Sequence, residues 1–238
     1  METELQTLVD HYKLSPEAVE LVRQTPIMLV VGISGAGKGT ITQKLLETGQ
    51  YHRIISHTTR QPRENDGVME QDGVDYHFIT KEQAAEMLHN GEFVEAKKYS
   101  ENIYGTSVAE IRKAHDEGKV AIADIEVQGV AEYKAIAPNV IAEFILPPGY
   151  KEWQRRLRAR YGSHGADPTD LSRRMHTAIL ELTEALERPY YHFIVNENLD
   201  EAVEAADSIA RHHDEFTRID RSFRVWAERL LEDLKAGL

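Results

Sequence analysis

"VVGISGAGKGT", Val30 to Thr40, is the stretch on which the reading of this 238-residue chain turns. It places Gly32, Gly37 and Lys38 at the spacing of a phosphate-binding loop, with Gly35 as a further glycine. The apolar run "IMLVV" (27–31) leads into it, and a helical pattern follows from Lys38 to Thr48, closed by Gly49. That context is what makes such a loop work. Backbone N–H groups and the helix N-terminus surround an anion, and the lysine adds a mobile positive charge. On this reading Gly32, Ser34, Gly35, Ala36, Gly37, Lys38, Gly39 and Thr40 line the phosphates of a nucleotide. One position departs from the pattern. The hydroxyl that normally follows the lysine to ligate magnesium is replaced by Gly39, and arrives one residue late at Thr40. Magnesium is therefore expected on Thr40 (direct or through water), on water alone, or on Asp124 through water.

Outward from the loop, helices and strands alternate. Thr80-x-x-Gln83 and Ser107-x-x-Glu110 carry capping-box signals, and Gly91 and Gly118 sit where those helices should stop. Between them lie the apolar runs "VAIAD" (120–124), "VIAEFIL" (140–146) and "YHFIV" (191–195). Asp167-Pro168 opens a long helix to about Arg188, and residues 1–25 read as polar helix with Ser15-Pro16 as a start. The pattern predicts an α/β fold whose core is a largely parallel sheet flanked by helices. At the end of the chain, Phe216, Ile219, Phe223, Trp226, Leu230 and Leu234 form one apolar stripe at helical spacing. It reads either as a helix docked on its own domain or as a surface for homo-oligomer formation.

Composition narrows the function classes. A net charge of −12 argues against a general nucleic-acid binder, which needs a basic surface. Positive charge is nonetheless clustered at Arg60 and Arg63, at Arg155, Arg156, Arg158 and Arg160, and at Arg173 and Arg174, as an anionic small substrate requires. No run approaches the length of a membrane helix, and the acidic start "METELQTLVD" lacks the features of a signal peptide. The absence of cysteine excludes disulfides and thiolate metal sites, and the expectation is a cytoplasmic protein. The eleven histidines show no metal-ligand spacing.

The segments after the first helix sharpen the reading. "SHTTRQPR" (56–63) sets two arginine forks among hydroxyls, "EFVEAKKYSENIYGTS" (92–107) supplies Glu95, Tyr104 and Thr106, and "ADIEVQGV" (123–130) places Asp124 just past a strand. Taken in order, G-x-S-G-A-G-K, S-x-T-T-R-x-P-R, D-Y-x-F, E-F-x-E, Y-G-T-S, D-I-x-x-Q-G-V, I-L-P-P and I-V-N resemble the guanylate kinase family over roughly residues 26–210. The resemblance implies a P-loop NTPase-type core (26–211) with an inserted acceptor-nucleotide lobe at about 60–105 and an arginine-rich lid at about 151–188. A helical extension (1–25) precedes that core and the amphipathic helix (212–238) follows it.

It further implies transfer of the γ-phosphoryl group of ATP–Mg²⁺ to GMP. Arg60, Arg63, Tyr76 and Tyr104 would bind the acceptor phosphate. Glu95 would read guanine, helped by Ser56, Thr106 and Asp124. Lys38, Arg156, Arg160 and Arg174 would carry catalysis on the donor phosphates, and Asn196 would lie near the donor adenine. A carboxylate can accept from both N–H groups of guanine, whereas adenine presents a lone pair and a C–H there and would leave it unsatisfied. Two stretches depart from the family pattern: 64–75 is longer before Tyr76, and the lid "YGSHGADPTD" is longer than usual. The Gly-Lys-Gly-Thr loop is similar to that of adenylate kinases. The rival readings are a related kinase with another small acceptor and a guanylate-kinase-like interaction module without activity.

Overall fold

A computed structural model describes residues 2–65, 67–159, 168–212 and 221–237. The chain divides into two compact units: Met1–Ile27, Tyr51–Ala123 and Glu132–Val140 form the first, and Met28–Gln50, Asp124–Ala131 and Ile141–Leu238 the second.

The second unit is built on parallel strands. All of β1 (Ile27–Val31) except its first residue lies here, paired in parallel with β10 (Ile141–Leu146) through Met28↔Ile141 to Val31↔Phe144. β10 pairs in parallel with β11 (Tyr191–Val195). Every residue of β1 and β10 is buried, which is why both read as apolar runs rather than as alternating ones, with Glu143 on β10 the one ionisable exception. Phe144 packs on Tyr191 and Phe193 at ring-centroid distances of 5.9 and 5.6 Å. The helices of this unit are α3 (Lys38–Glu47), α7 (Tyr150–Ala159), α8 (Pro168–Glu187), α9 (Leu199–Arg211) and α10 (Arg221–Ala236). Asn198 starts α9 by accepting from the backbone N–H groups of Asp200 and Glu201.

The terminal stripe belongs to α10, which packs on α8, α7 and β11. Ala227, Leu230 and Leu234 are buried there, Trp226 is half-buried, and Phe223 and Val225 remain exposed. The docked-helix alternative thus accounts for the buried half of the stripe; Phe216 and Ile219 lie outside the described residues.

In the first unit β2 (Tyr51–Arg53) pairs in parallel with β9 (Val120–Asp124), whose last residue falls in the second unit. A four-stranded sheet carries the inserted lobe, in the order β6 (His77–Phe78), β3 (His57–Thr58), β8 (Asn102–Ser107), β7 (Phe93–Tyr99). β7 and β8 are antiparallel, with a bulge between Phe93 and Glu95. The hairpin of β4 (Glu64–Asn65) and β5 (Val68–Met69) takes up part of the extra length noted before Tyr76. Helices α1 (Glu2–His11), α2 (Pro16–Gln24), α4 (Lys81–His89) and α5 (Val108–Asp116) complete the unit, and α6 (Val127–Ile136) contributes to both.

The amino-terminal extension is part of this lobe's core. Leu5 joins Leu88, Phe93 and Ala96 in a buried cluster, with Leu8, Val9, Tyr12 and Ile79 packed against it. The Tyr12 hydroxyl donates to the carbonyl of Val94, 3.4 Å away, next to Glu95 on β7. The expected capping box at Thr80 and Gln83 is complete. Its counterpart at Ser107 is only half formed. Ser107 Oγ accepts from Glu110 N–H, but the Glu110 carboxylate turns to the N–H of Ile55 (3.0 Å) and to His77 and Lys113 instead. A long-range partner outcompetes the local one.

Candidate active site

The phosphate loop leaves β1 and enters α3 through three glycines with positive φ: Gly32 (141°), Gly35 (87°) and Gly37 (100°). A β-carbon on Gly32 would run into the carbonyl oxygen of Ile145, and one on Gly37 into the side-chain amide of Asn196. Both positions therefore need glycine for close approach as well as for backbone angle. Gly37 is the residue before the first helical turn, so the N–H groups of α3 open onto the loop. Lys38 Nζ donates to the carbonyl of Gly32 at 2.6 Å, curling its charge back over the loop.

Residues from α7, α8 and the end of β11 brace this loop. Asn196 is buried, and its Nδ2 donates to the carbonyl of Ala36 at 2.8 Å. Arg156 donates to the same carbonyl (3.3 Å) and to the carbonyl of Asn196 (3.0 Å), with Nε on Glu152. Arg174 Nη1 donates to Ser34 Oγ at 2.9 Å while its Nε is held by Asp170. Trp153 Nε1 donates to the Ser34 carbonyl at 2.8 Å. Arg156, Arg174 and Asn196 are thus gathered on the loop; Arg160 lies outside the described residues. Asn196, expected near a donor base, supports the loop backbone through its bond to the Ala36 carbonyl.

Sequence reasoning missed Glu181 on α8. Burial drives its carboxyl up to about 7; Lys38 pulls it down, while Glu126 and Asp124 push it further up. Asp124 stands exposed at the carboxyl end of β9 and belongs to this unit, not to the one that carries the other residues expected to bind the acceptor. Thr40 is exposed on the first turn of α3, and nothing lies within 4 Å of a β-carbon built on Gly39. Among the described residues no group of three or more His, Cys, Asp or Glu side chains is arranged to hold a metal ion. None of the described helices is long and apolar enough to cross a membrane.

The first unit carries most of the residues expected to bind the acceptor, on or beside its small sheet. Glu95 is 7% exposed and accepts from the hydroxyl of Thr106 at 3.0 Å across the β7–β8 pair. Burial is the main reason its carboxyl is pushed up to about 7. Glu132 adds to the rise, while the Thr106 hydrogen bond and Lys97 oppose it. Tyr133, wholly buried, has a hydroxyl with no hydrogen-bond partner among the described residues. Arg60 is buried, its guanidinium lying over the rings of Tyr76 (5.3 Å) and Phe78 (5.9 Å). Tyr76 and Tyr104 sit edge to face with centroids 6.1 Å apart. Ser56 is half-buried and accepts through its carbonyl from His77 N–H, and Arg63 is exposed. The sequence did not reveal that Arg60 is already paired, through two hydrogen bonds, with Glu70.

A phosphate loop opening an α-helix, arginines drawn onto it, and a separate lobe with a buried carboxylate and an arginine fork define a phosphate-loop nucleoside monophosphate kinase. Comparison with known proteins is specific about which kind. The guanylate kinase family model matches residues 23–213. The "Guanylate kinase" of Clostridioides difficile is 32% identical over 214 residues, covering 90% of this chain and 99% of that protein. That of Clostridium perfringens (strain 13) is 38% identical over 196 residues, covering 82% and 86%. "Guanylate kinase 1" of rice is 35% identical over 84% of this chain, which spans 51% of that longer protein. The crystal structure of guanylate kinase from Anaplasma phagocytophilum superposes with a TM-score of 0.59 at 26% identity, covering 81% of this chain and 88% of that one. The chain belongs to the guanylate kinase family.

Proposed function

We propose that the protein transfers the γ-phosphoryl group of ATP to GMP. An oxygen of the acceptor phosphate attacks the γ-phosphorus, the bond from that phosphorus to the β–γ bridging oxygen breaks, and ADP and GDP leave. Phosphoryl transfer of this kind passes through a loose transition state and asks the protein for positioning and charge rather than for a covalent nucleophile. The α3 N-terminus, Lys38, Arg156 and Arg174 supply that charge on the donor side, and Arg160 is assigned to the same task.

The observation that carries the reading is Glu95. A carboxyl group buried on a sheet, with one oxygen held by Thr106, has its remaining acceptor capacity available for a ligand with two adjacent N–H donors. Guanine offers N1–H and the 2-amino group side by side. Ser56 and Thr106 are assigned to the guanine carbonyl, Asp124 to the base, and Arg60, Arg63, Tyr76 and Tyr104 to the phosphate. None of these is assigned to the ribose 2′ position, so dGMP is included as an acceptor.

Magnesium is placed with ATP. The fit is to an ion that keeps several waters and phosphate oxygens, since the carboxylates and the Thr40 hydroxyl offer oxygen ligands without a complete protein cage. Thr40, with Asp124 through water, would hold it, and when bound it would neutralise charge on the donor phosphates. A cytosolic location fits the cysteine-free sequence.

ADP release from ATP in the presence of GMP tests the proposal. It should be brisk in the natural protein and fall by orders of magnitude in Lys38→Ala. Equal turnover in the two proteins would overturn the assignment of the loop.

A further inference from the structure

Glu95 and Thr106 stand directly opposite each other on β7 and β8, and the Thr106 hydroxyl donates its proton to Glu95 Oε1 at 3.0 Å. The reading of the site assigns that same proton to the guanine carbonyl. A hydroxyl carries one hydrogen, so it cannot serve both oxygens at once. When Thr106 turns to the base, Glu95 loses the donor that held it, and a buried carboxylate is costly to leave short of donors. A replacement is needed.

The side chains behind the pair are already committed, with one exception. The Tyr12 hydroxyl is on the carbonyl of Val94. Lys97 and Glu132 hold each other at 2.9 Å. That ion pair also sets this part of α6 against the face of β7 that bears Glu95, since residues 95 and 97 alternate onto one side of the strand. The exception is Tyr133, the next residue on α6. It is 0% exposed, and its hydroxyl has no hydrogen-bond partner among the described residues. Burial raises the pKa of this hydroxyl, the charge of Glu95 raises it further, and the Thr106 hydroxyl opposes the rise. Both members of the pair are therefore its near neighbours, and its proton stays on the oxygen as a donor. A phenylalanine would fill the same space without burying an unpaired hydroxyl. The hydroxyl makes sense in a state that offers it an acceptor, and a Glu95 deserted by Thr106 is one.

We propose that Tyr133 is a positioning residue of the guanine site: as Thr106 turns its proton to the guanine carbonyl, the Tyr133 hydroxyl donates to the Glu95 carboxylate in its place. The inference rests on the reading of this lobe as the site for GMP. Tyr133 does not touch the ligand and acts through Glu95. In the complex the carboxylate accepts from guanine N1–H, from the 2-amino group and from Tyr133, three donors within its capacity of about four. The free protein keeps Thr106 on Glu95 and leaves the phenol waiting.

Tyr133→Phe removes the hydroxyl and keeps the ring. Calorimetry on the full chain should show GMP binding weakened roughly ten- to a hundredfold, the value of a hydrogen bond to a charged group. The KM for GMP should rise with it, while kcat at saturating GMP and the KM for ATP stay near the natural values. The melting temperature of the free variant should equal or exceed that of the natural protein, because an unpaired buried hydroxyl is gone. 2-Aminopurine ribonucleoside monophosphate has hydrogen in place of the carbonyl, so it leaves Thr106 on Glu95 and makes no demand on Tyr133. Its inhibition constant should be the same in both proteins. Tyr133→Met, which lacks the hydroxyl as well, provides the same comparison if Tyr133→Phe does not fold. Unchanged GMP affinity in the variant, with a natural protein that binds GMP, would overturn the inference alone. An equal weakening of GMP and the 2-aminopurine nucleotide, or a lower melting temperature of free Tyr133→Phe, would make Tyr133 a packing residue and overturn it too. A natural protein that does not bind GMP would instead sink the reading of the whole lobe.

Discussion

Replacing Glu95 by Gln exchanges one carboxyl oxygen for an amide NH₂ and should change both what the enzyme accepts and how stable it is. Glu95 is 7% exposed, bonded to Thr106, and its carboxyl is raised to about 7. The glutamine keeps an acceptor for one guanine N–H but sets an amide N–H₂ against the other. A charge-assisted bond worth about 1.5–3 kcal/mol is lost, and a buried donor left facing a donor costs about 1–3 kcal/mol more. The sum, about 3–6 kcal/mol, corresponds to a fall in kcat/KM for GMP of about 10² to 10⁴ at 1.4 kcal/mol per decade. Inosine monophosphate, which lacks the 2-amino group, should suffer much less, so the ratio of GMP to inosine monophosphate activity should collapse.

Stability should move the other way. The folded-state value of Glu95 lies above its unfolded value of 4.5, so its contribution is intact below about 4.5 and is lost as pH rises toward 7. Above that window the carboxylate costs about 3 kcal/mol, taking the shift at face value. Glu95→Gln removes this cost, and its melting temperature should exceed that of the natural protein at pH 8 but not at pH 4.5. A coupled ADP-release assay and thermal melts at the two pH values measure both halves. Undiminished kcat/KM with GMP would refute the assignment of Glu95 to guanine. A melting temperature that responds equally at both pH values would refute the burial argument.

Glu143 provides a second test of burial. It sits in the middle of β10 at 0% exposure, neither carboxylate oxygen has a partner among the described residues, and burial holds its carboxyl well above the usual range. Glu143→Leu should stabilise the protein by about 1–3 kcal/mol, read as a higher melting temperature whose advantage grows as pH rises above the ordinary carboxylate range; a lower one at pH 8 would show an undetected partner. Gly39 has open space where its side chain would be, so Gly39→Ser should fold normally and restore the hydroxyl of the usual pattern. Its magnesium requirement should be met at lower concentration than in the natural protein, whereas Thr40→Ala should need more. Unchanged magnesium dependence in Thr40→Ala would exclude that hydroxyl as a ligand. Gly32→Ala, which would drive a methyl group into the Ile145 carbonyl, should lose ATP binding while guanosine binding by the lobe persists; retained ATP affinity would show that the loop can shift.

The parts legible in the sequence are those set by local rules. β1, β9 and β11 coincide with three quoted apolar runs, because buried parallel strands need no polar face. The positive φ of Gly91 and Gly118 and the complete box at Thr80 follow from helix-end chemistry. What could not be read depended on partners distant in the chain. Ser107-x-x-Glu110 has the letters of a capping box, yet Glu110 serves Ile55 and His77. Nothing local marks Glu70 as the partner of Arg60, ten residues earlier in the chain, which it bonds from the end of the β4–β5 hairpin. Glu143 lies within an apolar run whose strand assignment was right while its one ionisable member remained unexplained. The N-terminal helices, legible as helices, gave no sign that Leu5 and Tyr12 would back the strand that carries Glu95.

The central claim is that this chain phosphorylates a guanine mononucleotide. ADP release from ATP–Mg²⁺, measured in parallel with GMP, dGMP, AMP, CMP and UMP, tests it most directly. The account predicts rapid turnover with GMP, turnover with dGMP, and a kcat/KM for AMP lower by about 10⁴, the discrimination expected of a site built on hydrogen bonds to its substrate. Comparable rates with AMP and GMP, or no turnover with any of the five, would contradict it.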